Sequence, residues 1–145
     1  MHSGYLYIET HPDHPHRVRP RTSIHQPDPA SSDHGARIRY IAWFEDIDAG
    51  EMHAHEFMRR FLLDLNNRIY KVDLTTAIAD VESIRLKHRR IWYDPELTPC
   101  ELDQIRALRK GIKRRQDRVE RIINTIGYAA LGLLAFNLLV LLLAM

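Results

Sequence analysis

The chain has 145 residues, room for one domain of ordinary size plus an appendage but not for two full cores. Its single cysteine, Cys100, excludes an internal disulfide and suits a reducing compartment. The formal charge of +2 is unremarkable, whereas the crowding of basic residues just ahead of an apolar C-terminal stretch is not.

Met1-His2-Ser3-Gly4 is followed by no apolar region of signal-peptide length, and no lipidation motif or internal repeat is visible. Gly4 to Thr10 reads as a β-strand, a run of Tyr, Leu and Ile between glycine and proline. His11 to Pro20, with three prolines and three histidines, reads as a turn or extended loop, and residues 24–36 as an irregular loop rich in Pro, Ser, Asp and His. Arg37 to Glu45 gives a second strand through Ile38, Tyr40, Ile41, Trp43 and Phe44. Asp48-Ala49-Gly50-Glu51 has the form of an N-cap with a carboxylate at N3. It opens a predicted helix to about Leu65, with Ala54, Phe57, Phe61 and Leu65 along one face, ended by Asn66-Asn67. Ile69 to Val72 reads as a third short strand. Asp73 or Thr75 then caps a helix to about Arg90, with Ile78, Val81 and Ile84 inward. The order β, loop, β, α, β, α describes a small α/β or α+β domain over residues 1–93.

Residues 94–98 form a linker. Thr98-Pro99-Cys100-Glu101 is a capping box with proline at N1, and nothing stops a helix from there to Met145. Residues 122–145 contain no Asp, Glu, Lys, Arg or His and would cover about 35 Å as a helix, enough for a hydrocarbon core of about 30 Å. A domain this small cannot surround so long an apolar rod, so the stretch reads as a transmembrane anchor at the C-terminus. The basic juxtamembrane helix 99–121 carries Arg106, Arg109, Lys110, Lys113, Arg114, Arg115, Arg118 and Arg121. Such an asymmetry predicts a cytoplasmic N-terminal domain and contact with anionic lipid, in preference to nucleic-acid phosphate. Gly127, Ala130, Leu134 and Asn137 make a stripe of small and polar residues suited to pairing with a second copy or another membrane helix.

Among the nine histidines, His11, His14 and His16 lie among prolines, while His53 and His55 are about 200° apart on a helix. No cysteine pair accompanies them, so they read as solvated side chains, not zinc ligands. Glu51 and His55 differ: four residues apart, they share one helix face and reach a common ligand or each other.

Several short motifs in one order resemble the GIY-YIG nuclease superfamily, in the branch with phage-type DNA-binding and nuclease domains. Gly4-Tyr5-Leu6-Tyr7-Ile8 matches its opening G-Y-[IV]-Y-[IV], and Val18-Arg19-Pro20-Arg21-Thr22 is a shortened echo of V-K-I-G-[KR]-T. Gly50-Glu51-Met52-His53-Ala54-His55 fits A-E-x-x-[IL]-H, and Asn66-Asn67-Arg68-Ile69-Tyr70-Lys71-Val72 with Ala77-Ile78 occupies the later positions. The resemblance spans about Gly4 to Glu82. It implies a short three-stranded antiparallel sheet with flanking helices, and metal-dependent phosphodiester hydrolysis. It also implies roles: Tyr7 near the nucleophilic water, Glu51 as ligand of Mg²⁺ or Mn²⁺, and His55 in support. Arg19, Arg21 and Arg37 are the arginines available for phosphate.

The departures point away from catalysis. Pro20 stands where the family has a flexible glycine, and Arg68 where it has a glutamate. The family helix that bears the essential arginine should lie between Thr22 and Arg37, where Gln26-Pro27-Asp28-Pro29-Ala30-Ser31-Ser32-Asp33 stands instead. Losing that arginine removes several kcal/mol of transition-state stabilisation, on the order of the 2.7–4 kcal/mol measured for comparable groups. The sequence therefore leads to a tail-anchored, degenerate nuclease-like domain that binds nucleic acid or a protein. An active membrane-side endonuclease and a purely structural or regulatory membrane subunit are the alternatives.

Overall fold

The computed structural model describes residues 2–30 and 35–143, with residues 15, 138, 139 and 141 described by backbone alone. It comprises two units, Met1–Lys110 and Gly111–Met145.

The first unit is α+β. Its strands are β1 (Gly4–His11), β2 (His14–Ser23), β3 (Arg37–Phe44), β4 (Leu62–Asp64), β5 (Ile69–Tyr70) and β6 (His88–Tyr93). They form one sheet in the order β4-β5-β2-β1-β3-β6, with every neighbouring pair antiparallel. Its helices are α1 (Ile47–Met58), α2 (Leu74–Glu82) and the beginning of α3 (Pro99–Leu143).

The expected three-stranded sheet is thus a sheet of six, and the extra strands arise where local pattern misleads. His11 to Pro20 is largely strand, not loop: β1 and β2 form a hairpin about Pro12-Asp13. Proline is tolerated at position 20 because β5 flanks β2 only at Val18, so β2 is an edge there. The helix expected to reach Leu65 ends at Met58 and tightens into a 3₁₀ turn, Arg59–Phe61. The Asp64 carboxylate accepts hydrogen bonds from the Asn66 and Asn67 amides at 2.9 and 3.2 Å and from Asn67 Nδ2 at 2.7 Å. That turn chemistry outcompetes helix propagation and closes the β4–β5 hairpin. The second helix stops at Glu82, short of Arg90; Ser83 Oγ donates to the Ala79 carbonyl at 2.6 Å, and the Ile-Trp-Tyr run beyond pairs with β3. In the segment 24–36 the described residues are irregular, as expected, and residues 31–34 lie outside the described residues.

Strand parity divides the sheet into two faces. Leu6 pairs with Thr22 and Ala42, and Ile8 with Pro20 and Tyr40, on an inner face beneath the helices. Tyr7 pairs with Arg21 and Ile41, and Tyr5 with Ser23 and Trp43, on the outer face. Side-chain contacts agree: Thr22 reaches α1 on the inner side, while the Arg89 guanidinium lies 5.3 Å over the Trp43 ring on the outer side. Leu6, Ile8, Tyr40, Phe44, Ala54, Met58, Ile78 and Val81 make the buried core between sheet and helices.

A polar hub pins this layer. Glu82, at the end of α2, is buried and accepts a hydrogen bond from Tyr93 at 2.7 Å and from Tyr40 at 3.5 Å. Arg109 of α3 donates to it at 3.2 Å, and Arg90 lies at 3.8 Å. A second knot surrounds Asp94, whose side chain is fully buried: Arg37 donates to it at 3.1 Å and Arg39 Nε approaches at 2.7 Å. The expected linker 94–98 is therefore structural, tied back to β3. The capping box forms as expected, with Thr98 N donating to Glu101 Oε2 at 2.7 Å and Glu101 N to Thr98 Oγ1 at 3.3 Å. Ile105, in the second turn of α3, is fully buried.

The second unit is helical through Leu143, and its described side chains are largely exposed. The helix is long and apolar enough to cross a membrane, and no part of its apolar window is buried. Residues 144 and 145 of the expected span lie outside the described residues.

Asp80 yields a test of the packing. It is buried in α2, and desolvation raises its carboxyl from the ordinary 3.8 to about 6, partly countered by the charge of Arg60. The folded chain binds this proton more tightly than the unfolded chain does. Its contribution is fully present below pH 3.8 and is lost as the pH rises through about 6. In urea unfolding, Asp80→Asn is expected to stabilise the protein by about 1–2 kcal/mol at pH 7 and to leave it unchanged at pH 3.5.

Candidate functional site

The side of α1 that carries Glu51 and His55 borders a cleft of about 330 Å³ against β2 and the β4–β5 turn. Asp46 caps the helix, its Oδ1 accepting from the Ala49 amide at 3.1 Å, two residues earlier than the expected cap at Asp48. Gly50 then lets the helix approach the sheet: a Cβ there would stand 2.9 Å from Cδ1 of Phe44. With the helix this close, Thr22 Oγ1 donates to Glu51 Oε2 at 3.4 Å, and His55 Nδ1 meets Tyr70 Oη at 2.5 Å. Burial raises the Tyr70 hydroxyl above its ordinary range, with the charge of Arg68 acting the other way.

Arg68 closes the cleft. It forms an ion pair with Glu51 from a left-handed backbone, φ 52°, at the last position of the β4–β5 turn. That conformation costs a non-glycine residue roughly 1–2 kcal/mol. The pair joins an exposed arginine to a half-buried carboxylate.

The expected catalytic residues are not brought together. Glu51 and His55 share the cleft, whereas Tyr7 lies on the outer face of the sheet. Nor do the expected phosphate arginines converge on Glu51. Arg21 lines the cleft yet lies 3.8 Å from Glu9 of β1. Arg19 lies near Asp64, and Arg37 is held by Asp94 and by Glu96 at 2.5 Å. Nor do the residues present fit a resident Mg²⁺ or Mn²⁺ ion. Glu51 is engaged by Arg68, Asp48 lies 3.3 Å from His2, and no group of three His, Cys, Asp or Glu side chains converges among the described residues. Such an ion takes oxygen ligands in near-octahedral array. The histidines find separate partners: His16 binds Asp73 at 3.0 Å, and His53 lies 3.7 Å from Glu56.

Of the expected membrane-surface residues, Arg109 belongs to the Glu82 hub. Lys110, Lys113, Arg114, Arg115, Arg118 and Arg121 are exposed, as are Gly127, Ala130, Leu134 and Asn137. The Asn137 amide donates to the Leu133 carbonyl of its own helix at 3.0 Å.

Sequence reasoning missed Thr22, Tyr70 and the role of Arg68. Asn66-Asn67, expected as a helix stop and as part of the later motif, marks the turn that presents Arg68.

No protein-family model, no curated protein and no solved structure matches the chain.

Because Gly50 sets the distance of α1 from β3, Gly50→Ala should destabilise the protein by about 1–3 kcal/mol in chemical denaturation. An unchanged midpoint would mean that the helix is not seated as described.

Proposed function

We propose that the chain is a single-span membrane protein whose first unit is a nucleic-acid-binding module on a GIY-YIG-like plan that no longer hydrolyses its ligand. The carrying observation is the state of Glu51. Its carboxylate is neutralised by Arg68, and the tyrosine expected to work with it faces away across the sheet. A phosphodiester in the cleft would meet neither a free carboxylate nor that tyrosine. The motif order from Gly4 to Glu82 supports the family plan, and the exposed, apolar second unit supports membrane attachment. The basic run before the span supports a cytoplasmic first unit, with Lys113, Arg114 and Arg118 near anionic headgroups. A second reading, a protein partner, is favoured by Met52 and Leu65 on the rim of the cleft, 61% and 67% exposed.

The full chain in detergent micelles, given supercoiled plasmid with Mg²⁺ or Mn²⁺, should retain DNA without nicking it. Retention should fall steeply with salt. Nicking that disappears in Glu51→Ala would restore the nuclease, and a failure to retain any nucleic acid would leave the protein-partner reading. Membrane attachment has its own test. Leu131→Arg with Leu134→Arg, each costing roughly 2.5–3.5 kcal/mol at mid-membrane, should move the protein from alkali-washed membranes to the soluble fraction.

A further inference from the structure

We infer that the outer face of the sheet is a docking platform for single-stranded nucleic acid; the inference rests on the nucleic-acid reading above and assigns it a surface. Two cross-strand rows build the face. One runs Arg21, Tyr7, Ile41, Trp92 across β2, β1, β3 and β6, and the next runs Ser23, Tyr5, Trp43, Arg89. Each row thus carries two aromatic rings and one arginine. The rings are half-buried, with Ile41 buried between Tyr7 and Trp92. Both tryptophans of the chain, Trp43 and Trp92, stand here, on adjacent strands.

Strand parity also gathers charge. Arg21 and Arg19 pair with Tyr7 and Glu9 and so stand on the outer side, Arg21 also bordering the Glu51 cleft, and Arg17 precedes them at the register shift that ends the pairing. Alternate residues on a strand repeat at roughly 6.8 Å, comparable with successive phosphates of one nucleic-acid strand. Glu9, the acidic residue of β1, is buried and lies 3.8 Å from Arg21, so it does not present an exposed negative charge there.

The chemistry favours one occupant. Unpaired bases stack on aromatic faces and on guanidinium planes. At Trp43, whose ring the Arg89 guanidinium overlies, a base stacks on the arginine–tryptophan pair, while the arginines of β2 follow the phosphates. A duplex keeps its bases stacked internally and offers such a face its backbone alone. The platform is confined to these two rows and the β2 stripe, because Glu9 and Ile38, further along the sheet, are buried.

The test uses the full chain in zwitterionic micelles and fluorescence anisotropy of a labelled oligothymidylate, beside a hairpin duplex of equal charge. The variants are Trp43→Ala, the triple Arg17→Gln/Arg19→Gln/Arg21→Gln, and Arg68→Ala in the cleft. The inference expects the single strand to bind more tightly than the duplex. Trp43→Ala should weaken it by about tenfold. The triple variant should lower the slope of log affinity against log salt by about 2, while Arg68→Ala should have little effect. If Trp43→Ala fails to fold by circular dichroism, the triple variant carries the test. Nucleic-acid binding that is indifferent to the outer-face variants but lost in Arg68→Ala would overturn the platform and leave the proposed function standing. Absence of binding to either probe would overturn both. Loss of binding to anionic vesicles in the triple variant, with oligonucleotide binding intact, would overturn the platform and assign the arginines to lipid.

Discussion

The Glu82 carboxylate is buried under the sheet and is met by tyrosines from β3 and β6, by Arg90 and by Arg109. Burial, reinforced by the negative charge of Glu82, pushes the Tyr93 hydroxyl up to about 12 and that of Tyr40 well above its usual value. A buried charge is tolerable only while its partners stay in place, and removing one costs about 3–5 kcal/mol. The position of Glu82 therefore dictates where β6 lies against β3 and how the first turns of α3 return to the domain. Asp94, held by Arg37 and Arg39, repeats the device immediately after β6.

These two knots commit the inner face to structure. α1 comes close to the sheet at Gly50, and the cleft beside it is narrowed by the pairs Glu51–Arg68 and His55–Tyr70. The polar groups of this cleft are thus engaged with one another, Glu51 with Arg68 and Thr22, and His55 with Tyr70. The outer face has the opposite character. Its rings are half-buried and its Arg17 and Arg89 side chains are exposed.

Local pattern made parts of this legible in the sequence. β1, β3, the opening of α2 and the Thr98–Glu101 capping box each announce themselves within a few residues. Glu51 and His55 were legible as a pair because one helical turn separates them. β2 was hidden by its prolines, although the alternation of Arg17, Val18, Arg19, Pro20, Arg21 carries the period of a strand. The first half of β6, His88 to Arg90, reads as the end of a helix because basic residues suit either state. The knots were beyond reach of any local reading: Tyr40 and Arg37 meet partners 42 and 57 residues away. Motif position alone set Tyr7 beside Glu51. Strand parity places it on the opposite face, since Tyr7 pairs with Arg21 while its neighbour Leu6 pairs with Thr22.

The central claim is that recognition lies on the outer face of the sheet and not in the Glu51 cleft. Both tryptophans stand on that face, so their emission reports on it directly. Adding saturating oligothymidylate to the full chain in micelles should quench tryptophan fluorescence strongly and protect it from iodide. Saturation confirmed by an independent readout, with emission and iodide accessibility unchanged, would contradict the account.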